Sequence, residues 1–313
     1  MSLLDNMRLF VRTVELGSLS AAGRNLRVSP AVASHRLKEL ESHLGIRLLQ
    51  RTTRQTRPTP QGLAYYEGCL EVFRALDLAE GIASDLGSTP KGSLRVTAPL
   101  GLARVVLGPL LPAFCAAHPD VSVQLRLSDH LIDILHEGVD VAVRMARFED
   151  SSFTMRRIAP VERVLCAAPA YLARQGVPQV PADLLHHACL LLRFPGSRQF
   201  QWELAGPNGP QRIAIAGRLD ADDGDVLTTW ALAGEGIVLK PLFEVAEPLR
   251  SGALRVVLLD HPPTSLDLAL IYPTRQHLLP RVRAFADFMV PRLQEAIRER
   301  LAGLSLAGLR QAA

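Results

Sequence analysis

The chain has 313 residues, of which 48% are apolar, so it exceeds one ordinary hydrophobic core and two or three domains are expected. No run of about eighteen uncharged apolar residues occurs, and Asp5, Arg8 and Arg12 interrupt the N-terminal segment. The sequence therefore predicts neither a membrane span nor a signal peptide, and it favours a cytoplasmic location.

The cysteines indicate the same compartment. They stand far apart, never as a CxxC pair, and in apolar surroundings, at Cys69, Cys115, Cys166 and Cys189. This usage is typical of reduced core thiols rather than of disulfides or a zinc site. We expect no metal and no cofactor.

Positive charge is concentrated at the N-terminus. Residues 1–62 contain ten Lys or Arg and four acidic residues, a balance of +6, whereas the rest of the chain has 25 basic and 27 acidic residues, a balance of −2. A basic segment attached to a nearly neutral body is typical of a polyanion-binding module.

The basic segment contains three predicted helices. Apolar residues at helical spacing indicate a first helix that ends at Gly17. Ser20 is expected to cap a short second helix, AAGRNL. After a three-residue turn, Ser29 and Pro30 supply an N-cap and a first-turn proline for a longer helix that runs towards His43. Two helices joined by so tight a turn must cross, as in a helix-turn-helix.

The third helix has an apolar stripe and an opposite face of small, polar and basic residues, which suits close approach to base edges and phosphates. The extended, arginine-rich stretch RTTRQTRPTP that follows is suited to a two-stranded wing along the DNA backbone. We expect Ser34, Lys38, Arg51 and Arg54 to act on phosphates. We expect Pro30, Ala31, His35 and Arg36 to lie near base edges. The candidate DNA-binding residues are Ser29, Pro30, Ala31, Ser34, His35, Arg36, Lys38, Arg51 and Arg54.

A proline-free stretch from Leu63 to about Leu86 predicts a further helix. Leu63, Tyr66, Leu70 and Phe73 alternate at spacings of three and four, which favours a seam with a partner helix and hence a dimer. The alternative is a lone amphipathic helix that packs on its own domain. GSTPKGS, residues 87–93, reads as a hinge.

After the hinge, strand and helix patterns alternate, which indicates a parallel sheet covered by helices. In chain order the pattern predicts a strand at SLRVTAP, a helix at GLARVVLGPLLPAFCAAHP, a strand at VSVQLRLSD, a helix at LIDILHEG, strands at VDVAVRM and VERVLCAAP, a helix at PADLLHH, a strand at ACLLLRF, a strand, helix and strand in RLDADDGDVLTTWALAGEGIVLKPLF, a strand at SLDLALIYP and a helix at PRVRAFADFMVPRLQEAI.

Ligands of such sheets bind beyond the carboxyl ends of the strands. Arg144 and Arg193, together with the hydroxyl groups of Thr97 and Ser128, favour a small carboxylate as the ligand. A guanidinium binds a carboxylate through two parallel hydrogen bonds. Asp222 or Asp223 either caps a helix or supplies an anionic wall, in which case an amino acid would fit better. The candidate effector-binding residues are Thr97, Pro99, Leu100, Ser128, Asp129, Arg144, Arg193, Phe194, Asp222, Gly236 and Ile237.

The sequence resembles the LysR-type transcriptional regulators. The resemblance is carried by GSLSAAGRNLRVSPAVASHRLKELESHLGIRLLQRTTR, TPQG, LRLSDHLIDILHEGVDVAVRMA, APVERVLCAAPAYLARQG and ALAGEGIVLKP, and it covers nearly the whole chain. His35 stands where the family usually has Arg, and Val32, Ala33 and Ser34 replace its usual AVS, so the resemblance implies DNA binding without fixing the base preference there.

The resemblance implies an α+β multidomain chain: a winged helix-turn-helix at 1–62, a dimerising linker helix and hinge at 63–90, and a two-lobed α/β effector domain at 91–297, similar to type 2 periplasmic binding proteins. Its two Rossmann-like lobes would comprise 91–162 with 267–297, and 163–266. Residues 298–313 remain an unassigned tail. The implied partners are double-stranded DNA, a small-molecule effector, a second copy or a tetramer of the chain, and RNA polymerase.

Three other functions agree less well with the sequence. No GxSxG, HExxH, phosphate-loop or GxGxxG motif is present, which disfavours an enzyme domain fused to a DNA-binding module. An extracytoplasmic solute-binding protein conflicts with the basic N-terminal module. A ligand-independent architectural DNA-binding protein would explain the basic N-terminal module but not the α/β part of the chain.

Overall fold

The structure is a computed structural model that describes residues 2–51, 56–83, 89–130, 138–147, 153–193, 200–206, 209–273 and 278–311. It divides into two compact units, residues 1–85 and 86–313. Arg54, Phe194 and the predicted helix LIDILHEG, apart from its final glycine, lie outside the described residues.

The N-terminal unit has the order of helices and strands expected of a winged helix-turn-helix. Its elements are α1 Leu3–Leu16, α2 Leu19–Asn25, α3 Pro30–Leu44, β1 Leu49–Arg51, β2 Thr56–Pro58 and α4 Pro60–Ala83. Gly17 ends α1 in the left-handed conformation, with φ 63°, as the sequence predicted.

The predicted cap of α2 was wrong by two residues. Ser18, with extended backbone, accepts a hydrogen bond on its side chain from the backbone N–H of Ala21 at 3.3 Å. Ser20 is already inside the helix, where its hydroxyl cannot serve the first turn.

The linker helix α4 packs on its own unit. Leu70 is 9% exposed and lies in one core cluster with Phe10 and Leu40, while Tyr66 and Phe73 pack against that cluster. Leu63 is exposed. The predicted intermolecular seam is therefore wrong for Leu70, because residues of α1 and α3 already cover this face of α4. Helical periodicity indicates that a face is buried but does not show which element buries it.

The second unit contains two five-stranded mixed sheets and one two-stranded antiparallel sheet. Its elements are β3 Gly92–Ala98, α5 Leu100–Leu102, a π-helical turn Ala103–Leu107, α6 Gly108–Ala117, β4 Val121–Leu127, β5 Val141–Ala146, β6 Phe153–Val161, β7 Arg163–Ala167, α7 Pro169–Gln175, a 3-10 helix Pro181–His186, β8 Cys189–Leu192, β9 Gln201–Leu204, β10 Gln211–Ala214, β11 Asp220–Ala221, α8 Gly224–Leu232, β12 Ile237–Pro241, α9 Ala246–Arg250, β13 Arg255–Val257, β14 Leu266–Pro273, α10 Pro280–Arg300 and α11 Leu306–Gln311.

Each five-stranded sheet forms the centre of one lobe. The first lobe has the strand order β4-β3-β5-β14-β6, and the second has β11-β8-β12-β7-β13. Strands β3, β4 and β5 run parallel, but β14 runs antiparallel to β5 and β6, and β7 runs antiparallel to β12 and β13. The prediction of a purely parallel sheet was thus incomplete, because β7 and β14 each follow a crossing of the chain from the other lobe.

The two crossings lie beside each other. Glu162 separates β6 from β7, and the segment before β14 brings the chain back. The Arg163 guanidinium donates through Nε and Nη2 to the carbonyl oxygen of Thr264, at 2.9 and 2.6 Å. This contact joins the two connections at the base of the lobes.

The helical run Leu100–Ala117 is long and apolar enough, by length and composition alone, to cross a membrane. Within this unit its side chains Leu102, Leu107 and Phe114 are buried, and Arg104 forms an ion pair with Asp225 at 2.6 Å. These contacts pack one side of the helical run against the rest of the second unit.

The cysteines are free thiols. Cys69, Cys166 and Cys189 are buried and Cys115 is half-buried. Burial raises the pKa of Cys69 to about 11 and the pKa of both Cys166 and Cys189 to about 12, so these three thiols are protonated at neutral pH.

The tail that the sequence left unassigned forms α11 on the second lobe. Leu306 and Leu309 pack against a core cluster that includes Val245 and Leu254. Arg310 Nε donates to the carbonyl oxygen of Leu259 at 2.8 Å. The helix therefore covers apolar surface of the second lobe.

Replacing both Leu306 and Leu309 by Ser should destabilise the second unit, because two half-buried leucines lose their apolar contacts. We expect the free energy of unfolding to fall by about 2 kcal/mol, which corresponds to a decrease in Tm of roughly 4–8 °C for a unit of this size. Differential scanning calorimetry measures the shift. Ala307→Ser, at an exposed position of α11, is the control, and an unchanged Tm in the double variant would contradict the docking of this helix.

Candidate nucleic-acid interface and effector site

The recognition helix α3 begins as the sequence predicted. Ser29 accepts on its hydroxyl oxygen from the N–H of Val32 at 3.3 Å, and Pro30 occupies the first turn. Arg27, with φ 54°, makes the turn from α2. A Cβ on Gly23 would lie 3.4 Å from Cβ of Ala33, so two small residues set the close approach of α2 to α3.

The face of α3 opposite the core is open to solvent. Ala33, Leu37 and Leu40 are buried, whereas Ser34 and Arg36 are half-buried. The exposed residues on this helix up to position 39 are Pro30, Ala31, Val32, His35, Lys38 and Glu39. Val32, which is 37% exposed, was missed as a candidate contact because an apolar residue in a helix pattern reads as core.

The wing is attached directly to α3. Strands β1 and β2 pair antiparallel, with Arg51 opposite Thr56. The Glu41 carboxylate accepts from the N–H groups of Leu48 and Leu49 at 2.8 and 3.2 Å, so the second half of α3 holds the start of the wing. Arg51, a predicted phosphate contact, is the last residue of β1.

In the second unit a cavity of about 580 Å³ opens between the two lobes. Residues at the carboxyl ends of strands and the first turns of two helices line it, as expected for α/β sheets. The lining residues are Pro99, Gly101, Ser128, Asp129, His130, Arg144, Met145, Arg147, Arg163, Leu190, Leu192, Trp202, Gly224, Leu227, Leu239, Lys240, Pro241, Glu244 and Leu266.

Arg144 is held in the cavity wall by its own lobe. It is 8% exposed, and its Nη2 donates to the hydroxyl of Thr97 at 2.9 Å while Nη1 donates to the carbonyl of Val143 at 3.0 Å. Thr97 is fully buried. Thr97 therefore orients Arg144 from behind rather than lining the cavity itself.

A buried ion pair closes the floor of the cavity from the second lobe. Nζ of Lys240 lies 2.5 Å from Oε2 of Glu244, and both side chains are 6% exposed. Burial lowers the pKa of Lys240, but Glu244, together with the carboxylates of Asp225 and Asp129, outweighs that effect, and the pKa stands above its ordinary value. Burial raises the pKa of Glu244, and Lys240 opposes that rise. Lys240 is therefore a cation at neutral pH.

Asp129 contacts both lobes. Its Oδ1 accepts from the N–H of Leu100 at 2.9 Å, and its Oδ2 accepts from the N–H of Gly224 at 2.9 Å. Leu100 begins the first helix of its own lobe, and Gly224 begins α8 of the other lobe. The carboxylate is thus engaged at both oxygens.

Two further arginines project into the cavity and were missed from the sequence. Arg147 Nη2 lies 2.6 Å from Oε1 of Glu203, an ion pair between the lobes. Burial, and then the nearby Arg147, lower the pKa of Arg163 to about 10, while Glu203 raises it, so Arg163 also remains a cation at neutral pH. Arg147 lies near the end of a strand, where the strand-end rule could have found it.

Several predicted residues lie outside the cavity wall. Asp222 has a side chain 70% exposed and pairs with His130 at 3.6 Å, while Asp223 caps α8 through the N–H of Asp225. Arg193 pairs with Asp220 at 3.5 Å at the surface. Gly236 and Ile237 lie at or before the start of β12, whereas the cavity is lined by the other end of that strand.

The remaining predicted residues lie in or directly behind the wall. Pro99, Ser128, Asp129 and Arg144 line the cavity, and Leu100 donates its N–H to Asp129. Four cations, at 144, 147, 163 and 240, and two acids, at 129 and 244, occur among the described lining residues. Since the cations outnumber the acids by two, the arrangement favours an anionic ligand.

Comparison with known proteins gives one family match within each of the two units. Residues 4–63 match the bacterial regulatory helix-turn-helix protein, lysR family, and residues 87–294 match the LysR substrate binding domain. An uncharacterized HTH-type transcriptional regulator of Haemophilus influenzae is 34% identical over 278 residues, 89% of this chain and 96% of that protein.

Two further proteins extend the comparison. The uncharacterized HTH-type transcriptional regulator YhjC of Escherichia coli is 34% identical over 298 residues, 94% of this chain and 99% of that protein. The full-length structure of the Vibrio cholerae virulence activator AphB is 29% identical, with a TM-score of 0.61, over 93% of this chain and 99% of that chain. The chain therefore belongs to the LysR family of transcriptional regulators.

Proposed function

We propose that the chain regulates transcription in the cytoplasm as a homo-oligomer, with duplex DNA and RNA polymerase as its macromolecular partners, and that a small organic anion bound between the lobes modulates it. The observation that carries the ligand proposal is the convergence of four cationic side chains on a cavity between two lobes. An architectural DNA-binding protein would have no use for such a cavity. We propose no catalytic role.

The DNA-binding proposal rests on the exposed face of α3 and the attached wing. Ala31 and Val32 offer small apolar groups that suit the methyl group of thymine, and His35 is a hydrogen-bonding side chain on the same face. We propose that Lys38, which lies further along the same helix, contacts a phosphate, and we propose the same role for Ser34, Arg51 and Arg54. Pro30 and Arg36 complete the proposed contacts with base edges.

Lys38→Ala should weaken binding to all duplexes alike and reduce the slope of log K against log salt by about one unit, because one phosphate contact is lost. Fluorescence anisotropy with a specific and a scrambled duplex over a salt series measures both quantities. Arg218→Ala, which removes the same charge from an exposed position of the second unit, is the control. A change in sequence preference at constant slope would contradict the phosphate assignment.

For self-association we propose the side of α4 that is exposed in its own unit. Ala64, Gly68, Val72, Ala75 and Ala79 follow at spacings of four, four, three and four, and all are exposed. Small residues allow close approach of a second helix. This proposal replaces the seam through Leu70.

Val72→Glu should shift the oligomer towards smaller species without changing the Tm of the N-terminal unit, because the new charge lies in the contact between chains and not in the core. Analytical ultracentrifugation measures the shift. Leu63→Glu is a matched control, since Leu63 is equally exposed but lies on the opposite side of α4. If both variants sediment alike, this face is not the contact.

For the ligand we propose a carboxylate with an apolar body. The arginine side of the cavity would hold the carboxylate, and Leu190, Leu239, Trp202 and their neighbours would cover the rest. An amino acid is less well supported, because Asp222 lies in solvent and the lining acids are already hydrogen-bonded or paired.

A panel of benzoate, phenylacetate and hexanoate, each with its neutral amide, should contain a carboxylate that raises the Tm of the second unit while its amide does not. Arg147→Met should weaken the binding of that carboxylate by about tenfold or more, since a charge-assisted hydrogen bond contributes about 1.5–3 kcal/mol. Calorimetric titration measures the affinity. Arg193→Met, an arginine in a similar surface ion pair away from the cavity, is the control, and equal losses in both variants would contradict the site.

A further inference from the structure

One carboxylate of the chain already occupies a strong anion-binding position in the cavity. Asp129 follows β4, and its two oxygens accept from the N–H groups of Leu100 and Gly224, both at 2.9 Å. These are the first residues of the helical run Leu100–Ala117 and of the nine-residue helix α8. Asp129 therefore bridges two helix N-termini, one from each lobe.

Helix N-termini bind anions because their first N–H groups lack partners within the helix and carry the positive end of the helix dipole. Two such termini that converge on one cavity would serve the carboxylate of a ligand well. Here both N–H groups are used by the chain itself, and the bonds are those of a charge-assisted contact.

The surroundings leave little room for a second anion at this place. Lys240 Nζ donates to the carbonyl of Gly224 at 3.1 Å and is paired with Glu244. A Cβ on Gly224 would lie 3.2 Å from Oδ2 of Asp129, and a Cβ on Gly101 would lie 2.5 Å from Oε2 of Glu244. Backbone and acidic side chains of the two lobes are thus in close contact around the two helix ends.

We propose that Asp129 is a specificity-determining residue that acts as an internal anion: it fills the position between the two helix N-termini, links the lobes there without a ligand, and directs the carboxylate of a ligand to the arginines instead. The last part rests on the proposed function, since it assumes an anionic ligand in this cavity. The first two parts depend on the geometry of Asp129 alone.

The test is chemical rescue in the full-length protein. Asp129→Ala removes the carboxylate and leaves both N–H groups facing a space that formate fits. We expect the Tm of the second unit to fall by about 6 °C or more, for the loss of two hydrogen bonds to a charged group. Formate should restore at least half of that loss, whereas formamide and chloride at equal ionic strength should not.

Hydrogen exchange gives a second readout. In Asp129→Ala the amides of Leu100 and Gly224 should both exchange faster, and formate should slow both, because one anion serves both helix ends. Faster exchange at only one of them would overturn the bridging role. An equal formate effect on the wild type and on Asp129→Ala would overturn the internal-anion role.

Two further variants complete the design. Asp129→Asn keeps the shape but loses the charge, so it should show a lowered Tm and no response to formate, and a wild-type Tm in this variant would overturn the need for an anion. Asp222→Ala, which removes a nearby exposed carboxylate between the lobes, should respond to formate no more than the wild type. The formate experiment and the carboxylate titration with Arg147→Met are independent. A failed formate rescue would not contradict carboxylate binding at Arg147, and a failed titration would not contradict the role of Asp129.

Discussion

The arrangement of the second unit depends on the pairing of one buried cation, Lys240. The Lys240 side chain is 6% exposed, and removing its charge from water costs several kcal/mol of folding free energy unless an anion and further acceptors compensate for it. Glu244 supplies the anion and the carbonyl of Gly224 supplies an acceptor at 3.1 Å. These two contacts fix the first turn of α8 against β12, and they place the Glu244 carboxylate beside Gly101 of the other lobe, where no side chain would fit.

The same contacts explain why the sequence predicted the start of α3 and the following hairpin better than it predicted the lining of the cavity. Ser29 and Pro30 act on the helix they begin, and the arginine-rich hairpin follows in the chain, so local chemistry suffices to predict both. Lys240 and Glu244 stand in an apolar run that reads as strand and loop. Lys240 bonds to Gly224, which lies 16 positions before it, and Glu244 lies beside Gly101 in the other lobe. No local pattern indicates either contact.

The errors in the fold prediction have equally specific causes. The spacing of Leu70 and its neighbours correctly indicated a helix with a buried face, but a period cannot distinguish burial by α1 and α3 from burial by a second chain. Strand and helix alternation correctly indicated α/β structure, yet strand direction in β7 and β14 is set by the crossings between lobes. Asp222 and Asp223 are adjacent and chemically equal, and the backbone at the start of α8 decides that the second one is the cap.

The ion pairs across the cavity connect ligand binding to the relation between the lobes. Arg147 lies 2.6 Å from Glu203 of the other lobe, and Glu203 also contacts Arg212 at 3.2 Å. On the proposed function, a carboxylate at Arg147 competes with Glu203, which would keep Arg212 as a partner. Ligand binding would then weaken one contact between the lobes while the contacts of Asp129 and Arg163 persist. A ligand changes a conformational equilibrium only through such a difference in contacts between two states. This difference lies at the rim of the cavity, away from the Arg163–Thr264 contact and from the helix termini bonded to Asp129.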